Sequence, residues 1–410
     1  RRGVPRRLLS VDWHAGARVE RVWKGHSFMQ NGSMLAAFRG LLLQPHSMAS
    51  WVRRFVAPMA FAALSGLTAW AQAQTTGASV PVQRSAPVQT LRVVGGLAGV
   101  AQFTRFEEPF WSHELARLSG GRYSATIVPF DRAGVPGADM LRLLELGVVP
   151  FGTFLVSLNG QFPQYGAADL VGLNPDMASL RASVLAFRPY LERALREEQG
   201  IEALAIYVYP AQMLFCRQPI KHLDDLTGRR VRVSSAGQAD FVGALGATPV
   251  HTAFSQIVPR FEAGTIDCAI TGTMSGNTLG LPRLTTHLYA LPLNWGMAIF
   301  AANRTAWEAL PEDLRALLRR ELPKLEKVIW AESERDTAQG LACNSGASGC
   351  KDGTPGKMVI VPATAEDQRR TREIFTNTVL PQWLQRCGPR CAEIWQQTIG
   401  PARGLAVTRP

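Results

Sequence analysis

Long apolar runs, catalytic signatures and metal-ligand spacings are all missing from this chain of 410 residues. Its clearest apolar run, Phe55 to Leu67, has 13 residues, whereas a membrane-spanning helix needs about 20. A multispanning membrane protein is thereby excluded, and an ordinary apolar share of 46% argues against wholesale disorder. No H-E-x-x-H, no G-x-S-x-G and no cysteine–histidine signature occurs. Three of the seven histidines, His14, His26 and His46, lie near the start, and His113, His222, His251 and His287 are scattered. Gly95, Gly96 and Gly99 have neither the G-x-G-x-x-G spacing nor a Walker lysine, so they read as a strand-end turn rather than a nucleotide loop. The sequence nominates no reaction, no cofactor and no metal, and it reads as a non-enzyme.

The formal net charge of +12 invites a nucleic-acid reading, but its distribution argues against one. Residues 1–73 hold ten Lys/Arg against two Asp/Glu, so only +4 is left for the remainder. Basicity concentrated in a leader is not a binding face. The leader itself has internal order. From Met48, Arg53 and Arg54 form a charged start, Phe55 to Leu67 an apolar core, and Ala69-Trp70-Ala71 or Ala71-Gln72-Ala73 a small-x-small cleavage site. Residues 48–73 thus read as a secretory signal peptide, with cleavage after Ala71 or Ala73. Residues 1–47 read as an upstream extension and 74–90 as a polar, proline-containing linker.

What the chain does have is a run of alternating strand and helix signals. Between Leu226 and Thr271, a turn at Thr227-Gly228 opens a short strand, Arg230-Val231-Arg232-Val233. A helical segment, a second strand over Gly246–Val250, a helix from Ser255 to Ala263 and a buried strand from Ile266 to Ile270 follow. This β-α-β-α-β succession marks an α/β fold with a largely parallel sheet. Ligands of such sheets bind beyond the carboxyl ends of the strands. Arg232 lies near such an end, where its planar, permanently charged fork suits a carboxylate. The competing reading is a surface charge at a strand edge.

A second unit of the same kind precedes it: a strand from Leu91, a helix over Phe106–Leu118, a strand over Tyr123–Val128, a helix over Ala138–Leu146 and a strand over Val148–Phe154. Then come a helix over Met177–Gln199, interrupted near Pro189, and a strong strand over Ala203–Tyr209. Asn303 or Thr305 opens a long helix with a kink expected at Pro323. Near the end, a strand over Met358–Val361 precedes a helix capped at Thr364, with Asp367 at the box position. Four cysteines in a secreted chain suggest disulfides, with the local pairs Cys343–Cys350 and Cys387–Cys391 ahead of crossed pairings. The wide first pair argues against a four-cysteine zinc site. Cys216 and Cys268 read as buried and unpaired.

Four pieces of the central stretch, D-L-x-G-x-x-V-R-V (Asp225–Val233), G-A-x-P-V (Gly246–Val250), A-F-S-x-I (Ala253–Ile257) and E-A-G-x-I-D (Glu262–Asp267), resemble the solute-binding proteins of TRAP transporters in order and spacing. These are tripartite ATP-independent periplasmic carriers, typically of organic acids, and the similarity extends from about Leu91 to about Trp395. The resemblance implies an α/β, two-lobed periplasmic-binding-protein fold, each lobe a mixed, mostly parallel sheet flanked by helices, with a long helix bridging them. It implies lobe 1 over 91–208 plus 297–338, lobe 2 over 209–296 plus 339–410, and a chain crossing near Tyr209–Leu214. It also implies a small organic-acid ligand and membrane permease subunits as partners, a periplasmic location, and no nucleic acid. Arg232 would then pair with the ligand carboxylate, and Phe254 would pack against the ligand or serve as a hydrophobic anchor. Thr271 falls where sialic-acid-type members carry an asparagine, and Gln212 lies near a position where such members use a second arginine. Losing that charge and that amide implies a different, less polar acid.

Overall fold

The computed structural model describes residues 88–405. The expected upstream extension and signal peptide, and most of the expected linker, lie outside the described residues. Eleven strands among the described residues form two sheets. The strands are β1 (Gln89–Gly95), β2 (Tyr123–Pro129), β3 (Phe151–Leu155), β4 (Ile201–Val208), β5 (Gln212–Cys216), β6 (Arg230–Val233), β7 (Thr248–His251), β8 (Cys268–Gly272), β9 (His287–Asn294), β10 (Met297–Asn303) and β11 (Val359–Pro362). The first sheet has the order β2-β1-β3-β10-β4, and the second β11-β9-β5-β8-β6-β7.

Both sheets are mixed. β1, β2 and β3 run parallel, and β10 lies antiparallel between β3 and β4. In the second sheet β6 pairs parallel with β7 and β8, while β5 runs antiparallel to β8 and β9. Every residue of β3 and β8 is buried. These are inner strands covered on both faces, as the buried strand expected over Ile266–Ile270 implies for β8.

Two short crossings join the sheets. β4 passes to β5 through Tyr209–Ala211 (residues 209–211), and β9 passes back to β10 through Trp295 and Gly296. Gly296 takes φ +84°, a left-handed conformation costly for any residue with a Cβ. The Asp169 carboxylate staples this second crossing by accepting from the backbone N–H groups of Trp295 (2.9 Å), Gly296 (2.6 Å) and Met297 (3.2 Å).

The third connection is the 34-residue helix Glu312–Ser345. Against the first sheet, Trp330 Nε1 donates to Ile206 O (2.8 Å), and the Ser333 hydroxyl donates to Val208 O. Further along, Thr273 Oγ1 donates to Thr337 O (3.0 Å) and Asn344 Nδ2 to Thr273 O (2.9 Å), at the start of the helix Thr273–Thr278 that follows β8. Gly340 makes this approach possible, because a Cβ there would overlap the backbone of Thr273 and Met274. The long helix therefore bridges both sheets. The C-terminal helices also touch both: Trp383 Nε1 donates to Pro163 O (2.8 Å), and Arg386 pairs with Asp240 (2.6 Å).

Some sequence expectations need correction. The helix Met177–Gln199 is continuous through Pro189 and is not interrupted there. A helical proline removes one N–H donor, a loss that packing on both sides of it can outweigh. Asn303 caps a separate short helix, Arg304–Glu308, and the long helix begins only at Glu312. Pro311, placed between them, lacks the N–H needed to continue the first. Cys216 and Cys268, expected to be unpaired, are joined by a disulfide, as are Cys343 with Cys350 and Cys387 with Cys391. Cys216 and Cys268 face each other in the antiparallel β5–β8 register with Cα atoms 4.1 Å apart. Their separation of 52 residues hid that neighbourhood in the sequence.

Candidate ligand cleft

The strand directions aim one edge of each sheet at a common crevice. From the first sheet, the parallel strands β1, β2 and β3 deliver Leu97, Phe130, Asp131, Leu155 and Leu158, and the end of β4 delivers Tyr209. From the second, the carboxyl ends of β6, β7 and β8 deliver Arg232, Val233, His251 and Thr271. β5, running the other way, brings the start of its strand, Gln212, to the same edge, opposite Gly272 of β8. Together these residues line a cavity of about 560 Å³, within the ordinary range for a small-molecule site. All four ligand-site residues singled out in the sequence, Arg232, Phe254, Thr271 and Gln212, line it.

Arg232 is the electrostatic centre of the second-sheet wall. It is 4% exposed. Its Nε donates to Thr252 O (3.0 Å) and its Nη1 to Ile270 O (2.6 Å), carbonyls that follow β7 and lie within β8. Two carbonyls fix the plane of the fork without neutralising it, and among the described residues no carboxylate pairs with it. Burial alone pushes its pKa down to about 10, so it still carries its charge at neutral pH. A cation withdrawn from water, with no carboxylate partner among the described residues, favours an anion brought from outside.

Gln212 is held by a residue the sequence did not advertise. Gln238, fully buried on the helix Ala236–Ala244, donates through Nε2 to Gln212 Oε1 (2.7 Å) and to Asn294 Oδ1 (3.0 Å). Its own Oε1 accepts from Ser234 N (2.8 Å) and Ser234 Oγ (3.1 Å). With its oxygen engaged, Gln212 has its amide N–H₂ left as a donor. Thr271, 3% exposed, adds a hydroxyl, and Phe254 adds a half-buried ring at the start of the helical turn Phe254–Gln256.

The first-sheet wall is mostly apolar, but it is backed by a buried acid. Glu107 accepts from Gly96 N (2.7 Å), Thr153 Oγ1 (3.3 Å) and the Tyr207 hydroxyl. Burial outweighs these donors and raises its pKa to about 7. Tyr207 is thus core, and Tyr209 is cleft wall. The Tyr209 hydroxyl is buried beside the backbone of Leu97, and burial, then the charges of Glu107 and Asp131, keep it protonated. Asp131 had no flag in the sequence, although the strand-end rule that singled out Arg232 applies equally to β2.

No helix among the described residues is long and apolar enough to cross a membrane, and no cluster of His, Cys, Asp and Glu there could hold a metal ion. The arrangement is that of an α/β binding protein with two lobes and a ligand cleft between them. The sequence pattern of the bacterial extracellular solute-binding proteins of family 7, DctP, matches residues 105–380, and the chain belongs to that family. It is similar to the C4-dicarboxylate-binding periplasmic protein DctP of Rhodobacter capsulatus, 29% identical over 149 residues, which are 36% of this chain and 41% of that relative. Among solved structures it is similar to DctP7 of Bordetella pertussis, an extracytoplasmic solute receptor binding pyroglutamic acid. That match has a TM-score of 0.68 and 19% identity over 76% of this chain and 99% of the other. A TRAP periplasmic solute-binding protein of Desulfovibrio salexigens with bound orotic acid aligns with a TM-score of 0.68 and 16% identity, over 77% and 99% of the two chains. One from Rhodoferax ferrireducens with bound malonate gives 0.65 and 17%, over 76% and 99%.

Proposed function

We propose that this chain is the periplasmic solute receptor of a TRAP transporter, which captures a small organic acid between its lobes and presents it to the membrane permease. The observation that carries the reading is Arg232: a buried guanidinium, oriented by two carbonyls, paired with no acid among the described residues and lining the cleft. The solved relatives bind pyroglutamic acid, orotic acid and malonate, which supports a carboxylate here. Arg232 is the carboxylate fork, Gln212 and Thr271 supply neighbouring donors, and Phe254 packs against the body of the ligand.

Residues 91–208 plus 297–338 form one lobe and 209–296 plus 339–410 the other, with the C-terminal helices lying across both. The crossings at Tyr209–Ala211 and Trp295–Gly296 act as the hinge, and lobe closure removes the ligand from water and creates the shape the permease recognises. Residues 48–73 direct the chain to the periplasm.

Thermal unfolding of the mature protein against a panel of organic acids tests this. A ligand at about 100 times its Kd adds roughly 2.7 kcal/mol of stability, enough to raise Tm by a few degrees at this size. One acid class should raise Tm in the wild type and leave Arg232→Ala unmoved. No shift with any carboxylate, from protein first stripped of ligand by unfolding and refolding, would contradict the reading.

A further inference from the structure

The two walls of the cleft carry opposite charges, one each. Among the described lining residues, Arg232 is the one permanent cation and Asp131 the one carboxylate. They come from opposite sheets, Arg232 from β6 in the second and Asp131 from the residues just after β2 in the first. Asp131 Oδ1 accepts from Ala98 N (3.0 Å), which holds the carboxylate in place. Its second oxygen has no hydrogen bond and no cation among the described residues. Leu97, Phe130, Val135, Leu155, Leu158 and Phe254 give the same cavity its apolar lining.

From this polarity we infer that the cleft selects monocarboxylic acids with an apolar body and a hydrogen-bond donor, such as a hydroxyl or amide N–H, at the end remote from the carboxylate. The inference rests on the carboxylate role of Arg232 and makes Asp131 the specificity-determining residue. Once the cleft closes, a ligand donor meeting the free oxygen of Asp131 gains a charge-assisted hydrogen bond. A second carboxylate there meets a like charge in a medium that screens it poorly, with no further permanent cation on the lining to offset it. The Tyr209 hydroxyl belongs to the same first-sheet wall and suits a group that accepts as well as donates. Rejection of the wrong ligand by an unpaired like charge is a recognised route to specificity.

Three acids of one shape separate the possibilities: cyclohexanecarboxylate, trans-4-hydroxycyclohexanecarboxylate and trans-cyclohexane-1,4-dicarboxylate, each titrated near neutral pH into the wild type and Asp131→Asn. In the wild type the hydroxy acid should bind at least about tenfold tighter than the parent acid, and the dicarboxylate at least about tenfold weaker. In Asp131→Asn, whose amide oxygen still accepts from Ala98 N, the dicarboxylate should rise to within about threefold of the parent acid. A merely structural role for Asp131 would weaken all three ligands together and leave their ranking intact. A wild type that prefers the dicarboxylate, an unchanged ranking in Asp131→Asn, or no binding of any of the three overturns the inference. The acid panel and Arg232→Ala decide independently whether the carboxylate reading stands.

Discussion

At the scale of single residues, the cleft depends on side chains that aim other side chains. Arg232 is aimed by the carbonyls of Thr252 and Ile270, and Gln212 by Gln238. Gln238 fills its hydrogen-bonding capacity with four partners, so removing its amide leaves several buried groups unsatisfied at once. Gln238→Met, of similar volume, should lower ligand affinity by about ten- to a hundredfold and stability by roughly 1–3 kcal/mol, read by calorimetric titration and urea unfolding. Unchanged affinity would mean that Gln212 needs no orientation. Arg232 was legible in the sequence because a strand-end position can be read from the local alternation of Arg230–Val233. Gln238 was not, because a glutamine within a helix resembles any solvated position until the fold brings Gln212, Ser234 and Asn294 around it.

At the scale of elements, the segment from β6 to β8 was readable almost throughout. Its strands are short and punctuated by Gly228, Gly246 and Gly264, all at positive φ. Elements joined only by long-range pairing were less readable. The Cys216–Cys268 disulfide follows from the β5–β8 register, which nothing local in the sequence states. The same holds for the crossing of the long helix over the helix Thr273–Thr278, where Gly340 looks like a mere weakness of the helix until the neighbouring backbone is seen. Gly340→Ala should raise helix propensity and yet destabilise the protein by about 1–3 kcal/mol, because the methyl must push the Thr273–Met274 backbone away. Equilibrium unfolding in urea checks this, and a stabilised variant would contradict the close approach.

At the scale of the whole molecule, the two sheets meet over buried acids. Burial raises Glu107 to about 7, Asp169 to about 6 and Asp336 to about 7. Each folded-state pKa lies above the unfolded value, so the native state keeps a proton that the unfolded chain has already released. The stability this contributes is complete below the unfolded pKa and is lost as pH rises through the folded one. For Glu107 the window runs from about 4.5 to about 7, and the loss across it is at most about 3 kcal/mol. Glu107→Gln carries no titrating group at this position, so its urea midpoint relative to wild type should climb as pH rises across that window. A constant difference between the two proteins would show that Glu107 does not titrate there.

The two-lobed architecture was legible through a resemblance carried by four short motifs, and Asp131 on the first-sheet side of the cleft was not, because no comparable motif marks β2. The proposed function rests on the carboxylate-binding role proposed for Arg232. The most direct test is calorimetric titration of wild type and Arg232→Ala with the acid that gives the largest Tm rise. The account predicts that the substitution weakens binding at least about a hundredfold, the loss of a buried, charge-assisted pair. Equal affinity in the two proteins would contradict it.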